Sequence, residues 1–186
     1  MIFKNFGINY FKKNNLELVQ RFYYNIVNLA RNPDLYKNGG IPDTIDGRFE
    51  LIVLHAHFFI KKLLNSNQKE KEFAQNLIDF MIRDFDLSLR EIGVGDLSVG
   101  KKVKHMVSSY YGRVKVYDEN ISDFNGKFVI ALKNNLYGTT TPTDMHLKFI
   151  LKYIESLTKL LNKIEDSNFL KCFDNFNFVE ELYHYE

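Results

Sequence analysis

The sequence predicts an all-α fold, a compact multi-helix domain of six or seven helices around a buried central helix. Three observations carry that prediction. Apolar residues recur at helical spacing in segment after segment, and no stretch alternates with the period of a strand. Residues 49–63 are apolar almost all round, as a helix enclosed by others must be. Asn32-Pro33 stops one helix, Pro42 falls in a loop and Pro142 reads as a first helical residue, all places where the missing N–H does no harm.

In chain order, residues 1–15 lack a period and read as an N-terminal arm. A first helix over residues 16–31 buries Val19, Phe22, Tyr23, Ile26, Val27 and Ala30, and Asn32-Pro33 stops it. A loop containing Gly39, Gly40 and Pro42 leads to the central helix, residues 46–65. One of its faces carries Phe49, Ile52, Val53, Ala56, Ile60 and Leu63; Leu51, Leu54, Phe58 and Phe59 fill the rest. The third helix, residues 70–92, aligns Ile78, Ile82, Phe85, Leu89 and Ile92. A second stripe reads Asp79, Arg83, Asp86, Arg90, with each acid four residues before an arginine. Gly93, Gly95 and Gly100 then shape a turn.

The fourth helix, residues 98–121, has Val99, Val103, Met106, Tyr110, Val114 and Tyr117 on one face, and Gly112 suggests a close helix crossing. A short fifth helix spans residues 125–137. Residues 138–141 form the clearest boundary. Thr141 reads as an N-cap, Pro142 as the first helical residue and Asp144 as N3. The sixth helix follows with Leu147, Ile150, Leu151, Ile154, Leu157, Leu161 and Ile164. A short helix near residues 169–173 and an acidic aromatic tail close the chain. The expected organisation is an arm (1–15), a helical domain (16–138) and a C-terminal helical extension (139–186) packed on the same domain.

A length of 186 residues suits one core, and a net charge of +2 sets no overall field that commits the chain to nucleic acid, DNA included, or to an anionic membrane. Charge is uneven: residues 101–117 hold five cations and no acid. Only Arg21, Arg31, Arg48, Arg83, Arg90 and Arg113 are arginine among 25 cations, so each marks a place where the planar fork is wanted. Cys172 is the one cysteine, which fits a reducing compartment. No signal peptide is evident, and the longest apolar run, residues 51–60, is far short of the ~20 residues of a spanning helix. A soluble or membrane-peripheral protein is expected.

Residues 95–102, Gly-Asp-Leu-Ser-Val-Gly-Lys-Lys, nearly match a phosphate-binding loop. Lys102 stands where a hydroxyl should hold magnesium, and a helix precedes the loop, so nucleotide binding is not expected. What remains is a basic helix start, Lys101, Lys102 and Lys104. It reads either as a solvated turn or as a site for phosphate, RNA backbone or lipid headgroup. His55 and His57 point about 200° apart on a helix and cannot share a metal. They read as satisfied core histidines. No nucleophile–base pair is evident, and no catalytic residue, metal or cofactor is expected. A rival enzymatic reading is a phosphate-ester hydrolase using Asp43, Asp46, Asp84 and Asp86. Asp43 or Asp46, Arg48, Arg90, Asp96 and Arg113 are expected to converge, with Asp86, into one ion-paired network around the glycine turn.

Several blocks carry a family resemblance. They are Ala30-Arg31-Asn32-Pro33 with Tyr36; the run from Gly40 through Asp43, Asp46 and Arg48 to Phe49, continuing to His57; Asp84 through Arg90 to Asp96; Val99 to Lys104; Tyr111-Gly112-Arg113 with Tyr117; and Ala131-Leu132 with Asn135 to Tyr137. With these blocks in order, the chain resembles the ubiquinol-cytochrome c chaperone family, assembly factors of the cytochrome bc1 complex. The resemblance covers roughly residues 23–137 and fades beyond. It implies an all-helical, non-enzymatic chaperone that binds newly made cytochrome b. In mitochondrial members it also implies a small helper subunit and a position near the ribosomal tunnel exit. The absence of a presequence is similar to the bacterial members and implies a cytoplasmic protein, peripheral at the inner face of the inner membrane. A partner for an apolar client needs an apolar groove with a polar rim. Tyr10, Phe11, Tyr110, Tyr111, Tyr117 and the sixth-helix stripe are candidates for the groove. Lys101, Lys102, Lys104 and Arg113 are candidates for the rim, able alternatively to touch lipid or ribosomal RNA.

Overall fold

The structure is a computed structural model that describes residues 13–124, 126–138, 140–165, 169–173 and 178–183. The expected arm, with Tyr10 and Phe11, lies outside the described residues apart from its last three positions. Among the described residues the chain is all-α with no strand. Six helices have ten or more residues: α1 Lys13–Ala30, α3 Ile45–Leu64, α4 Gln68–Glu91, α5 Asp96–Asn120, α6 Lys127–Leu136 and α7 Asp144–Lys163. Three are short: α2 Pro33–Lys37, α8 Phe169–Phe173 and α9 Phe178–Tyr183.

α3 is the central helix. It packs against α1, α4, α5, α6 and α7. Its buried positions include Leu51, Val53, Leu54, Ala56, Phe58, Phe59, Ile60 and Leu63, and no position from 50 to 60 is exposed. Its start is fixed by Thr44, whose hydroxyl accepts from the Gly47 N–H at 3.1 Å. The loop before it turns at Gly40, which has φ +67° and presses on the ring of His146 at the start of α7. A side chain there meets both backbone strain and a clash.

The aromatic core continues into the C-terminal segments. Phe22 of α1 stacks on Phe173 with ring centroids 3.8 Å apart and meets Phe59, Phe73 and Phe169 edge-on. Phe178 packs on Phe59. The Leu170 N–H approaches the carboxylate of Glu70 in α4. α7, α8 and α9 therefore share the hydrophobic core of the preceding helices.

Four expectations need correction. Residues 33–37 are not loop: Asn32 both ends α1 and caps α2, its Oδ1 accepting from the Asp34 N–H at 2.9 Å. α7 starts at Asp144 and not at Pro142. Thr143 is the N-cap, because its hydroxyl accepts from the His146 N–H while His146 Nδ1 accepts from the Thr143 N–H. Gly112 marks no close crossing, since a Cβ there would meet open space. Ile92 is not on the buried stripe of α4; it is the C-cap and is more than half exposed.

That last difference reflects how α4 and α5 run. Phe85 meets Phe49 near the start of α3, and Arg113 of α5 reaches Glu50 on the same turn. Further along, Tyr117 lies beside His57 and Lys61 binds Asp118, so α5 follows the direction of α3. The portions 86–91 and 96–104 therefore extend beyond the start of α3 as a projecting hairpin, and Met106 already packs against the main core. Leu89 and Val99 are buried within it, yet neither belongs to the main core.

Candidate functional site

The hairpin turn is built on one arginine. Gly93 has φ +90°, a conformation that L side chains rarely adopt, and its N–H reaches the carbonyl of Arg90. The Val94 N–H bonds back to the Leu89 carbonyl, which closes the end of α4. Arg90 then bridges the two helices. Its Nε donates to Asp86 at 2.6 Å on its own helix, and its Nη1 donates to Asp96 on the first turn of α5. Asp96 also complements the positive end of the α5 dipole.

Lys101, Lys102 and Lys104 follow within the first turns of α5, and all three are exposed. Three apolar side chains share this end of the molecule. Leu97 is fully exposed, and Leu87 and Ile92 are more than half exposed. The sequence reading missed this apolar tip, because periodicity assigns a residue to a stripe without showing where the supporting core ends.

The aromatic candidates separate. Tyr110 and Tyr117 are core residues, buried by packing, and burial raises both phenol pKa values. The α7 stripe of Leu147, Ile150, Ile154, Leu157 and Leu161 is buried too. Of the described aromatic candidates for a groove on α5, Tyr111 alone offers surface. Arg113 is turned inward rather than to a rim. Its Nη2 donates to Glu50 Oε1 at 2.7 Å, and its Nε lies 3.0 and 3.1 Å from the two carboxylate oxygens. Burial raises the Glu50 carboxyl, and the Arg113 guanidinium opposes that rise.

The single network expected around the glycine turn is instead three separate groups, each centred on one arginine. Arg90 holds Asp86 and Asp96 at the hairpin turn. Arg113 holds Glu50 between α5 and α3. Arg48 binds Asp43 bidentately, at 2.6 and 3.1 Å, beside a recess lined by Arg31, Tyr36 and Lys37. Asp46 is exposed on the first turn of α3. The reason is geometric: Arg48 and Glu50 are two residues apart on one helix and point in different directions. Glu50, the key partner, was missed. Its signal was a lone carboxylate inside the apolar segment 49–63, which demands a cation.

The acids of the hydrolase reading do not gather. Asp43 pairs with Arg48, Asp84 accepts from the Tyr23 hydroxyl at 2.8 Å, and Asp86 pairs with Arg90. Among the described residues no cluster of three or more His, Cys, Asp or Glu could hold a metal. His55 is a satisfied core histidine: it lies 2.7 Å from the Leu51 carbonyl through Nδ1 and 2.6 Å from the Tyr153 hydroxyl through Nε2. The carbonyl can only accept, so Nδ1 carries the proton and Nε2 accepts from the tyrosine. His57 departs from the expectation. Its buried Nε2 has no hydrogen-bond partner among the described residues, and Asp118, 3.9 Å away, binds Lys61 at 2.5 Å.

With the architecture and the hairpin in view, the class is defined by comparison with known families. The chain belongs to the ubiquinol-cytochrome C chaperone family, whose model matches residues 37–172. The match runs through α7 into α8, so the family likeness does not fade after Tyr137 as the sequence reading held. Ubiquinol-cytochrome c reductase complex assembly factor 1 of Homo sapiens is 20% identical over 150 residues, covering 81% of this chain and 50% of its own length. The Xenopus laevis protein of that name is 18% identical over 150 residues, covering 81% of this chain and 75% of its own length. The chain thus spans about half the length of the human relative it matches. The crystal structure of the Cbp3 homolog from Brucella abortus is similar with a TM-score of 0.73 and 30% identity. It covers 85% of this chain and 87% of the solved one. No described helix is long and apolar enough to cross a membrane.

Proposed function

We propose that this chain is a non-enzymatic chaperone that binds newly made cytochrome b and promotes assembly of the cytochrome bc1 complex. The observation that carries the reading is membership of the chaperone family over residues 37–172, joined to relatives named as assembly factors of the same complex. Physical chemistry supplies a way to bind. Membrane helices of a client are apolar with charged ends, so a partner must present apolar surface beside polar groups. The outer side of α5 offers Tyr111 as an aromatic contact and Lys101, Lys102 and Lys104 as cations. Tyr110, Tyr117 and Arg113 serve the reading differently, by holding α5 against α3 and α6 so that this surface is rigid. Contacts with a ribosome or a small helper subunit belong to the same proposal. So does a working position at the cytoplasmic face of the membrane.

In-cell crosslinking tests the reading. A photoreactive residue at position 111 should capture newly made cytochrome b, identified by mass spectrometry. Capture of other proteins alone, with cytochrome b absent from the crosslinked band, would overturn it.

A further inference from the structure

The projecting end of the α4–α5 hairpin bears apolar side chains that the fold does not cover. Leu89 and Val99 form its buried interior. Leu87 and Leu97 each stand two residues from one of them, so helical geometry turns them about 200° away, to the outer sides of the two helices. Ile92 caps α4 at the apex between them. The exposed apolar groups therefore surround the tip instead of lining one face. A protein groove reads one face of a helix; a fluid hydrocarbon boundary accepts a tip from every side.

The charges behind the tip have a matching arrangement. Leu97, Lys101 and Lys104 fall within about 60° on one stripe of α5. The two lysines lie about 6 and 10 Å along the helix from Leu97, at 1.5 Å per residue. That spacing matches the roughly 5–10 Å to which interfacial apolar groups enter a bilayer, with lysines reaching the headgroups. The acids Asp86 and Asp96 are both bound by Arg90, and Glu91 is the other acid at the tip. From Leu97 to Tyr117 the helix carries five cations and no acid.

We propose that the α4–α5 tip docks on an anionic lipid bilayer, placing Leu87, Ile92 and Leu97 at the acyl boundary and Lys101 and Lys104 among the headgroups. The lipid assignment deepens the membrane-face position of the proposed function, and its test is separate from that of cytochrome b capture, because vesicle binding needs no client.

Flotation of the purified full chain with vesicles tests it. Binding is expected to vesicles containing phosphatidylglycerol, not to phosphatidylcholine alone, and is expected to weaken with added salt. A lysine at an anionic surface is worth about fivefold in partitioning, so Lys101→Ala with Lys104→Ala should lower binding about 25-fold. Leu97→Glu should abolish it. Lys148→Ala with Lys152→Ala, on exposed positions of α7, should leave it unchanged. Helical circular dichroism checks that each variant folds. No binding to anionic vesicles, or tip variants that bind like the wild type, would overturn the proposal. So would an equal loss in the α7 variant. Retention on single-stranded RNA without vesicle binding would transfer the lysines to nucleic acid and likewise overturn it.

Discussion

Glu50 is a carboxylate on a helix otherwise enclosed by apolar neighbours, and it is paired with Arg113, 63 residues away. Removing one partner of a buried pair leaves the other charge uncompensated. Arg113→Ala is therefore expected to cost roughly 3 kcal/mol in urea denaturation, while Glu50→Gln, which removes the buried charge itself, should cost less. Two histidines add a pH dependence. Burial holds both His55 and His57 down to about 4, from an ordinary 6.5. The unfolded chain thus takes up their protons first as pH falls below 6.5. Their stabilisation is complete above that value, declines between 6.5 and 4, and levels off below. The loss reaches at most roughly 3 kcal/mol per histidine. Glu50 has the opposite sign, because its raised pKa lets the folded state protonate first and offsets part of the loss at the acid end. Thermal melts between pH 7 and 4 should show a falling midpoint; a flat profile would contradict the burial of these rings.

Among the elements, the short C-terminal helices carry weight beyond their length. Phe169, Phe173 and Phe178 fill the space around Phe22 and Phe59. Phe173→Ala should cost roughly 3 kcal/mol by opening a cavity in the main core. Tyr111→Ala, on an exposed face, should stay within about 0.5 kcal/mol. Denaturant titration of both variants separates the two cases. The long helices were legible because each repeats its apolar pattern over several turns. α2 was not, since five residues carry no period. The start of α7 was misplaced because Thr-Pro-Thr offers two hydroxyl caps, and the choice between them is made by His146. The candidate site was legible in part. Arg90 with Asp86 and Asp96, and the exposed lysines, followed from local spacing. The burial of Tyr110 and Tyr117, the inward turn of Arg113 and the apolar tip did not. Those depend on where α5 crosses α3 and where the core stops beneath the hairpin, which are tertiary facts.

At the scale of the whole molecule, a rigid helical body centred on α3 holds out one hairpin whose end is basic and apolar together. Most of the family's sequence blocks serve that geometry: the α3 start, the Arg90 turn and the Arg113 tie each fix a helix end or crossing. In the proposed reading the hairpin is the working end and the helical body its support. Removal of the gene from its own cell tests whether the chain chaperones cytochrome b. The measurement is the dithionite-reduced minus oxidised haem spectrum of isolated membranes, with bc1 activity followed in parallel. A several-fold fall in the cytochrome b signal and in bc1 activity is expected, with other membrane cytochromes unchanged and wild-type levels restored by the reintroduced gene. A cytochrome b signal equal to that of the parent strain would contradict it.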